Sequence, residues 1–129
     1  MAEIHVPISP GELIDKLSIL EIKSERMTDE KKLVNVRLEL QLLTNTWAAS
    51  DYAKTNIDAE WAELKRINAA LWDIEDYIRD EERAKRFGDR FIELARAVYV
   101  TNDDRAAVKR KINDKLGSTI KEEKSYADY

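Results

Sequence analysis

Five side chains of different chemistry stand three or four residues apart in segment 57–87 and form the first candidate site. They are Asn68, Trp72, Glu75, Asp76 and Arg79. At this spacing on an α-helix they share one side, so an indole lies among an amide, two carboxylates and a guanidinium. An aromatic ring flanked by polar groups is typical of a ligand-stacking position or an interface anchor. Alternatively, Trp72 packs at the edge of the core and the two acids form ordinary surface pairs with Arg79.

Acidic residues are concentrated along the same segment. They are Glu60, Glu63, Asp73, Glu75, Asp76, Asp80, Glu81 and Glu82. Two carboxylate pairs can bind Mg²⁺, and the pairs Glu60 with Glu63 and Asp73 with Asp76 are weakly similar to the ExxE and ExxD pairs of all-helical nucleotide pyrophosphohydrolases. Those enzymes carry the pairs on successive helices, whereas here both pairs share one helix and stand roughly 20 Å apart. A magnesium-dependent hydrolase of phosphorylated small molecules is therefore an alternative, and we predict no metal site and no cofactor.

Basic residues follow the acidic run. They are Arg83, Lys85, Arg86, Arg90, Arg96, Arg105, Lys109, Arg110, Lys111 and Lys115. Such residues can contact nucleic-acid phosphates, but interspersed acids dilute them and no recognition-helix signature accompanies them. A nucleic-acid-associated accessory protein is a second alternative. Neighbouring acidic and basic patches also allow two copies of the chain to dock antiparallel.

Arg96, Tyr99 and Asn102 form another candidate site, beside Asp103 and near a junction between two predicted helices. Backbone amides at a helix start attract anions, and a nearby Arg and Tyr could complete a phosphate pocket. In the alternative interpretation Asn102 caps a helix, Tyr99 covers the junction and Arg96 pairs with Glu93. No nucleophilic catalytic set is recognisable, because the single histidine has no apparent partners and no Gly-rich phosphate loop is present.

One long amphipathic helix over residues 57–87 is predicted to organise the chain. Its apolar positions recur at steps of three and four: Ile57, Trp61, Leu64, Ile67, Leu71, Ile74 and Ile78. The chain has 129 residues, of which 43% are hydrophobic and 37% charged, with three Gly and two Pro. This composition favours helices and one domain over residues 1–129. The absence of cysteine excludes disulfides and thiol catalysis.

The segments before this helix predict two antiparallel helices and an extended arm over residues 1–8. The sequence SPGE at 9–12 predicts a helix start, with Ser9 as cap and Glu12 reaching back as its capping-box partner. A second helix is predicted to begin within 28–32, capped by Thr28 or Asp29. Residues 48–56 are predicted to be a loop, with Asn56 as a candidate cap.

The segments after this helix predict two shorter helices. Gly88 is expected to close the central helix in the left-handed conformation, and helices 89–101 and 102–116 to follow, the second ended by Gly117. The polar tail, residues 118–129, is expected either to dock or to fray. The predicted fold is thus an all-α bundle of about five helices, with one long central helix and a short extended N-terminal arm.

Four stretches resemble a family of small bacterial and phage proteins catalogued only as a domain of unknown function. They are SPGELIDKLSILEIKSERM, LWDIEDYIR, FGDRFIELARAVYVTNDDRAAVKRKIN and EEKSY, and together they span nearly the whole chain. The resemblance implies a self-contained bacterial or phage domain. It implies no activity, substrate, cofactor or catalytic residue.

The function expected from these residues is that of a small helical binding or assembly module. Wide apolar faces and three tryptophans favour a homo-oligomer, and another protein or a small anionic ligand is the alternative partner. A formal net charge of −4 gives no general attraction to nucleic acid or to an anionic membrane. Without an export signal pattern or an apolar run of membrane length, a cytoplasmic location is expected.

Overall fold

Four α-helices form the fold, and a computed structural model describes residues 2–129. The helices are α1 (Pro10–Arg26), α2 (Glu30–Ala49), α3 (Asp58–Arg83) and α4 (Asp89–Leu116), and a 3-10 turn, Asp51–Lys54, links α2 to α3. No β-strand occurs within residues 2–129. The all-α prediction is confirmed, but the prediction of five helices is wrong. No helix in the described part of the chain has both the length and the apolarity needed to cross a membrane.

The two helices predicted over 89–101 and 102–116 are one continuous helix, α4. Asn102 does not cap a new helix, because its Oδ1 accepts a hydrogen bond from Arg105 Nη2 at 2.8 Å. α4 packs extensively against α3. The polar run TNDD at 101–104 favours a helix break when only local propensity is considered. Packing against α3 keeps these residues helical.

The first helix, rather than α3, lies at the centre of the fold. α1 packs against each of the other three helices, and nine of its 17 residues are buried. The predicted apolar stripe of α3 is confirmed over its first half, where Leu64, Ile67 and Leu71 are buried. Ile14 and Leu17 of α1 meet this stripe in the core, together with Ile112 of α4. A T-shaped contact between Trp47 and Trp61, with ring centroids 5.9 Å apart, joins α2 to α3.

The predicted helix starts are largely confirmed. Ser9 Oγ accepts from the backbone N–H of Glu12 and Asp29 Oδ1 accepts from that of Lys31, as expected of N-caps. The N-cap of α3 is Ile57 and not the predicted Asn56, which lies one residue earlier and whose Oδ1 accepts from the backbone N–H of Asp58. The expected return bond of the capping box is not formed. The Glu12 carboxylate instead accepts from Lys109 Nζ at 2.7 Å, so this side chain links α1 to α4.

The end of α3 differs from the prediction. Lys85 occupies the left-handed region, with φ of 57°, and Gly88 has φ of −87° and precedes α4 as its N-cap. The backbone N–H of Arg86 donates to the carbonyl of Glu81, which satisfies a helix-terminal acceptor without a glycine. The predicted stop at Gly117 is confirmed, since this residue is left-handed with φ of 67°.

The two terminal segments have different environments. Residues 2–8 have no regular secondary structure and are exposed. The tail docks along α4 through polar contacts: Glu122 pairs with Lys109, Glu123 with Arg110, and the Tyr129 hydroxyl donates to Asp103. Of the two outcomes expected for the tail, docking is therefore the one observed.

Candidate functional site

A buried polar network lies where α1, α3 and α4 meet. It consists of Asp15, Ser18, Asn68, Asn102 and Arg105. Asn68 Nδ2 donates to Asp15 Oδ1 and to Ser18 Oγ, both at 2.8 Å, and Asn68 Oδ1 accepts from Arg105 Nη1 at 3.4 Å. Because both ends of the amide are engaged inside the protein, Asn68 is held in one orientation. Its role is to join three helices.

Lys109 extends this polar region towards the tail. Its Nζ donates to Glu12 Oε2 at 2.7 Å and to Glu122 Oε2 at 2.9 Å. Burial disfavours the charged ammonium, but the hydrogen bonds that Lys109 donates to Glu12 and Glu122 outweigh burial and raise the pKa of Lys109. In return, the hydrogen bond from Lys109 lowers the pKa of Glu122. One cation thus connects α1, α4 and the tail.

Asn113 fixes the start of α1 against α4. Its Oδ1 accepts from the backbone N–H of Gly11 at 2.7 Å. A Cβ on Gly11 would lie 2.5 Å from the carbonyl oxygen of Lys109 and 2.8 Å from Asn113 Oδ1. The glycine in SPGE is therefore required by the close approach of the two helices.

A cavity of about 340 Å³ opens next to this contact, between α4 and the tail. Lys109 and Asn113 line its α4 side, and Lys121, Glu122 and Lys124 line its tail side. The cavity is open to solvent. Two of its lining side chains, Lys109 and Asn113, also form hydrogen bonds with α1. Through Asn113, the cavity adjoins the close contact between Gly11 and α4.

The first predicted cluster is divided by the structure. Asn68 is buried in the polar network, Trp72 is partly buried, and Asp76 and Arg79 are exposed. Arg79 forms a surface ion pair with Glu75, as the alternative interpretation expected. α1 ends at Arg26, which pairs with Asp73 at 2.7 Å.

The short length of α1 explains this division. The part of α3 that follows Asp73 continues beyond the end of α1, so α1 does not cover it. No residue of α3 after Leu71 is buried. Helical spacing placed the five side chains on one side of α3 correctly, but only Asn68 meets a neighbouring helix that buries it.

The second predicted cluster is also divided. Asn102 joins the polar network through Arg105, whereas Tyr99 is exposed and packs edge-on against Tyr129 with ring centroids 5.2 Å apart. Arg96 is exposed and forms no ion pair within residues 2–129, and Glu93 pairs with Arg90 instead. Because α4 is continuous, no helix start supplies free amides here, and the anion site predicted on such amides is not present.

Several residues of the site were not predicted. They are Gly11, Asp15, Ser18 and Asn113, while Arg105 and Lys109 were predicted only as members of the basic run. The sequence does carry a signal for them, because small or polar residues recur at 11, 15 and 18 beside the apolar positions of α1. The polar positions 102, 105, 109 and 113 of α4 follow the same helical spacing.

The acidic run of α3 and the basic run of α4 neutralise each other in part. Lys115 Nζ lies 2.8 Å from the buried Glu60, and Lys111 lies 3.6 Å from Glu63. Hydrogen bonding from Lys115 lowers the pKa of Glu60. Within residues 2–129 no three acidic or histidine side chains are grouped to hold a metal ion.

The fold and the site define a small all-α protein built around a central first helix and a buried polar network. The chain belongs to the family of unknown function DUF6165, whose model matches residues 4–129. This confirms the resemblance noted from the sequence, while the bacterial or phage origin stays a prediction. No curated protein and no solved structure matches the chain.

Proposed function

We propose that this chain is a self-associating assembly module that uses the outer side of α2 as its contact surface. The observation that carries the proposal is an exposed apolar stripe. Val34, Leu38 and Leu42 are 63%, 60% and 48% exposed, and their four-residue spacing places them along one ridge of the helix. Of the 20 residues of α2, only Leu33 and Val36 are buried. We call Val34, Leu38 and Leu42 the α2 stripe.

The N-terminal arm enlarges this apolar surface. Ile4 and Val6 are largely exposed, and an open cavity of about 640 Å³ lies between the arm and α2, with Leu42 and Trp47 in its lining. Single exposed apolar residues are ordinary on a protein surface, but contiguous ones mark an interaction site. The stripe and the arm together supply such a contiguous surface.

We infer that the occupant of the α2 stripe is a second copy of the chain. With Leu38 on a two-fold axis, Val34 of each copy lies opposite Leu42 of the other, and the contact is self-complementary. Ridges formed by residues four apart interdigitate at a crossing angle of about 50°, the commonest helix-packing class.

The distribution of charge along α2 supports the antiparallel arrangement. Residues 30–32 are Glu-Lys-Lys, while residues 40–49 carry no charge. In an antiparallel pair, the charged first turn of each copy faces the uncharged half of the other, so like charges are not brought together. A parallel pair would place the lysines of both copies side by side, which is unfavourable.

The mass of the protein in solution tests this proposal. Light scattering after size exclusion is expected to give a mass above the 15.0 kDa of one chain, and the melting temperature is expected to rise with protein concentration. Leu38→Glu, which places two carboxylates on the symmetry axis, is expected to return the mass to 15.0 kDa. Because Leu38 is exposed in one chain, this variant is expected to fold.

Ile92→Glu is the matched control. Ile92 is 52% exposed on α4, so the same kind of change is made at similar exposure but away from the α2 stripe. The control is expected to keep the mass of the unmodified protein. A monomeric unmodified protein at high concentration would refute the proposal, and so would equal masses for Leu38→Glu and the unmodified chain.

A further inference from the structure

We propose that the cavity between α4 and the tail binds a phosphate group, either as the free ion or as a monoester of a small molecule. The cavity, at about 340 Å³, is of a size that small ligands occupy. It does not include the α2 stripe, so this inference does not depend on self-association.

Asn113 supplies the first reason. The residue is only 4% exposed and yet lines the cavity. Its Oδ1 is occupied by the backbone N–H of Gly11, which fixes the orientation of the amide. Its Nδ2 donates no hydrogen bond to any group within residues 2–129. A donor group that belongs to a buried residue, is held in one orientation and opens on a cavity is suited to a ligand acceptor oxygen.

Lys109 supplies a second donor beside the first. Its ammonium group has three N–H donors, and Glu12 and Glu122 accept hydrogen bonds from it. A third N–H remains for a group in the cavity. The positive charge of Lys109 is secured, because its hydrogen bonds raise its pKa. An oxyanion therefore meets one amide donor and one charge-assisted donor at the inner end of the cavity.

The remaining charges of the lining also favour an anion. The cationic residues of the lining are Lys109, Arg110, Lys121 and Lys124, and its acidic residues are Asp103 and Glu122. Lys121 and Lys124 are held only loosely, at 3.6 Å from Asp114 and 3.9 Å from Asp103. Both separations exceed normal hydrogen-bond lengths, so these two ammonium groups can turn towards a bound phosphate at small cost.

Nuclear magnetic resonance on the full chain tests the site. Titration with inorganic phosphate is expected to shift the side-chain amide signals of Asn113 saturably, and sodium chloride at equal ionic strength is expected not to. Asn113→Asp is the decisive variant. It keeps an oxygen that accepts from the Gly11 N–H, but it replaces the free donor with an oxygen that repels the ligand. This variant is expected to fold and to lose phosphate binding. Because it has no side-chain amide at position 113, binding is followed in this variant and in the unmodified protein by the backbone amide signals of Lys121 and Lys124, which line the cavity.

Two double variants separate the cavity from general surface charge. Lys121→Gln with Lys124→Gln is expected to weaken phosphate binding about tenfold, because two charge-assisted contacts are removed. Lys31→Gln with Lys54→Gln removes the same charge from exposed positions outside the cavity and is expected to leave the affinity unchanged.

Glycerol phosphate is titrated in parallel to distinguish binding of a phosphate monoester from binding of the free ion. Tighter binding of either probe at Asn113 supports the proposal, and the stronger probe shows whether the site prefers the monoester or the free ion. The proposal is overturned if the Asn113 signals do not shift saturably. It is equally overturned if the two double variants weaken binding to the same extent.

Discussion

Replacing Gly11 with alanine is expected to destabilise the fold far more than a single methyl group ordinarily does. The added Cβ would stand 2.5 Å from the Lys109 carbonyl oxygen, about 0.9 Å closer than the start of ordinary van der Waals contact at 3.4 Å. Neither contacting backbone can yield alone, because α1 and α4 are both packed into the core. The start of α1 must therefore move away from α4.

The size of the effect follows from three contributions. Overpacking of a tight contact costs about 1–3 kcal/mol. Movement of α1 also lengthens the buried hydrogen bond from the Gly11 N–H to Asn113 Oδ1, which costs about 1 kcal/mol. The better helix propensity of alanine offsets at most about 1 kcal/mol. With the full offset subtracted, the net loss of unfolding free energy is expected to be about 1–3 kcal/mol, or a fall in melting temperature of roughly 4–12 °C.

Gly88→Ala is the matched control for this experiment. A Cβ on Gly88 has no neighbouring atom within 4 Å, and the φ of −87° is open to any residue. Loss of a good N-cap and reduced entropy of the unfolded chain nearly cancel, so a change within about 0.5 kcal/mol is expected. Urea unfolding followed by circular dichroism measures both variants. Equal midpoints for Gly11→Ala and the unmodified protein would refute the close contact.

Three further changes test other parts of the fold. Asn68→Leu is expected to cost about 3 kcal/mol in urea unfolding, because the buried Asp15 carboxylate loses its hydrogen-bond donor; a cost below about 1 kcal/mol would contradict the network. The folded-state pKa of Glu60 is lowered, so its contribution to stability is present above the ordinary pKa of 4.5 and is lost as pH falls through the folded-state pKa. In Glu60→Gln, the unfolding free energy should therefore fall less steeply with decreasing pH than in the unmodified protein. The same pH dependence in both proteins would contradict the role given to Glu60. Gly117→Ala is expected to lower the unfolding free energy by about 1 kcal/mol, because Gly117 has φ of 67°, and a neutral result in thermal melts would exclude the left-handed end of α4.

Local patterns predicted the helix starts because their causes are local. Ser9, Asp29 and Asn56 each accept from a backbone N–H two or three residues away. The same reasoning assigned Glu12 to a capping box, whereas its partner in the structure, Lys109, is 97 residues distant. A sequence pattern shows the hydrogen-bond partners available nearby in the chain. It does not show a competing partner that only the tertiary fold brings close.

The site was predicted in part for a related reason. Asn68 and Asn102 were both selected from the sequence, but in separate clusters, and Arg105 joins them in the structure. Trp72 and Arg79 were selected because spacing defines a side of a helix. Spacing along α3 does not show where α1 ends. The end of α1 decides that Asn68 is buried, whereas Arg79 is exposed.

The central position of α1 has a consequence for the order of folding. During synthesis α1 leaves the ribosome before α4, so the backbone N–H of Gly11 must wait for Asn113, 102 residues later. Contacts of such long sequence separation slow folding, and the nascent chain exposes apolar residues of α1 until α4 is complete. A chain interrupted before residue 113 is therefore expected to need chaperone protection, whereas a chain with α4 in place covers α1 itself.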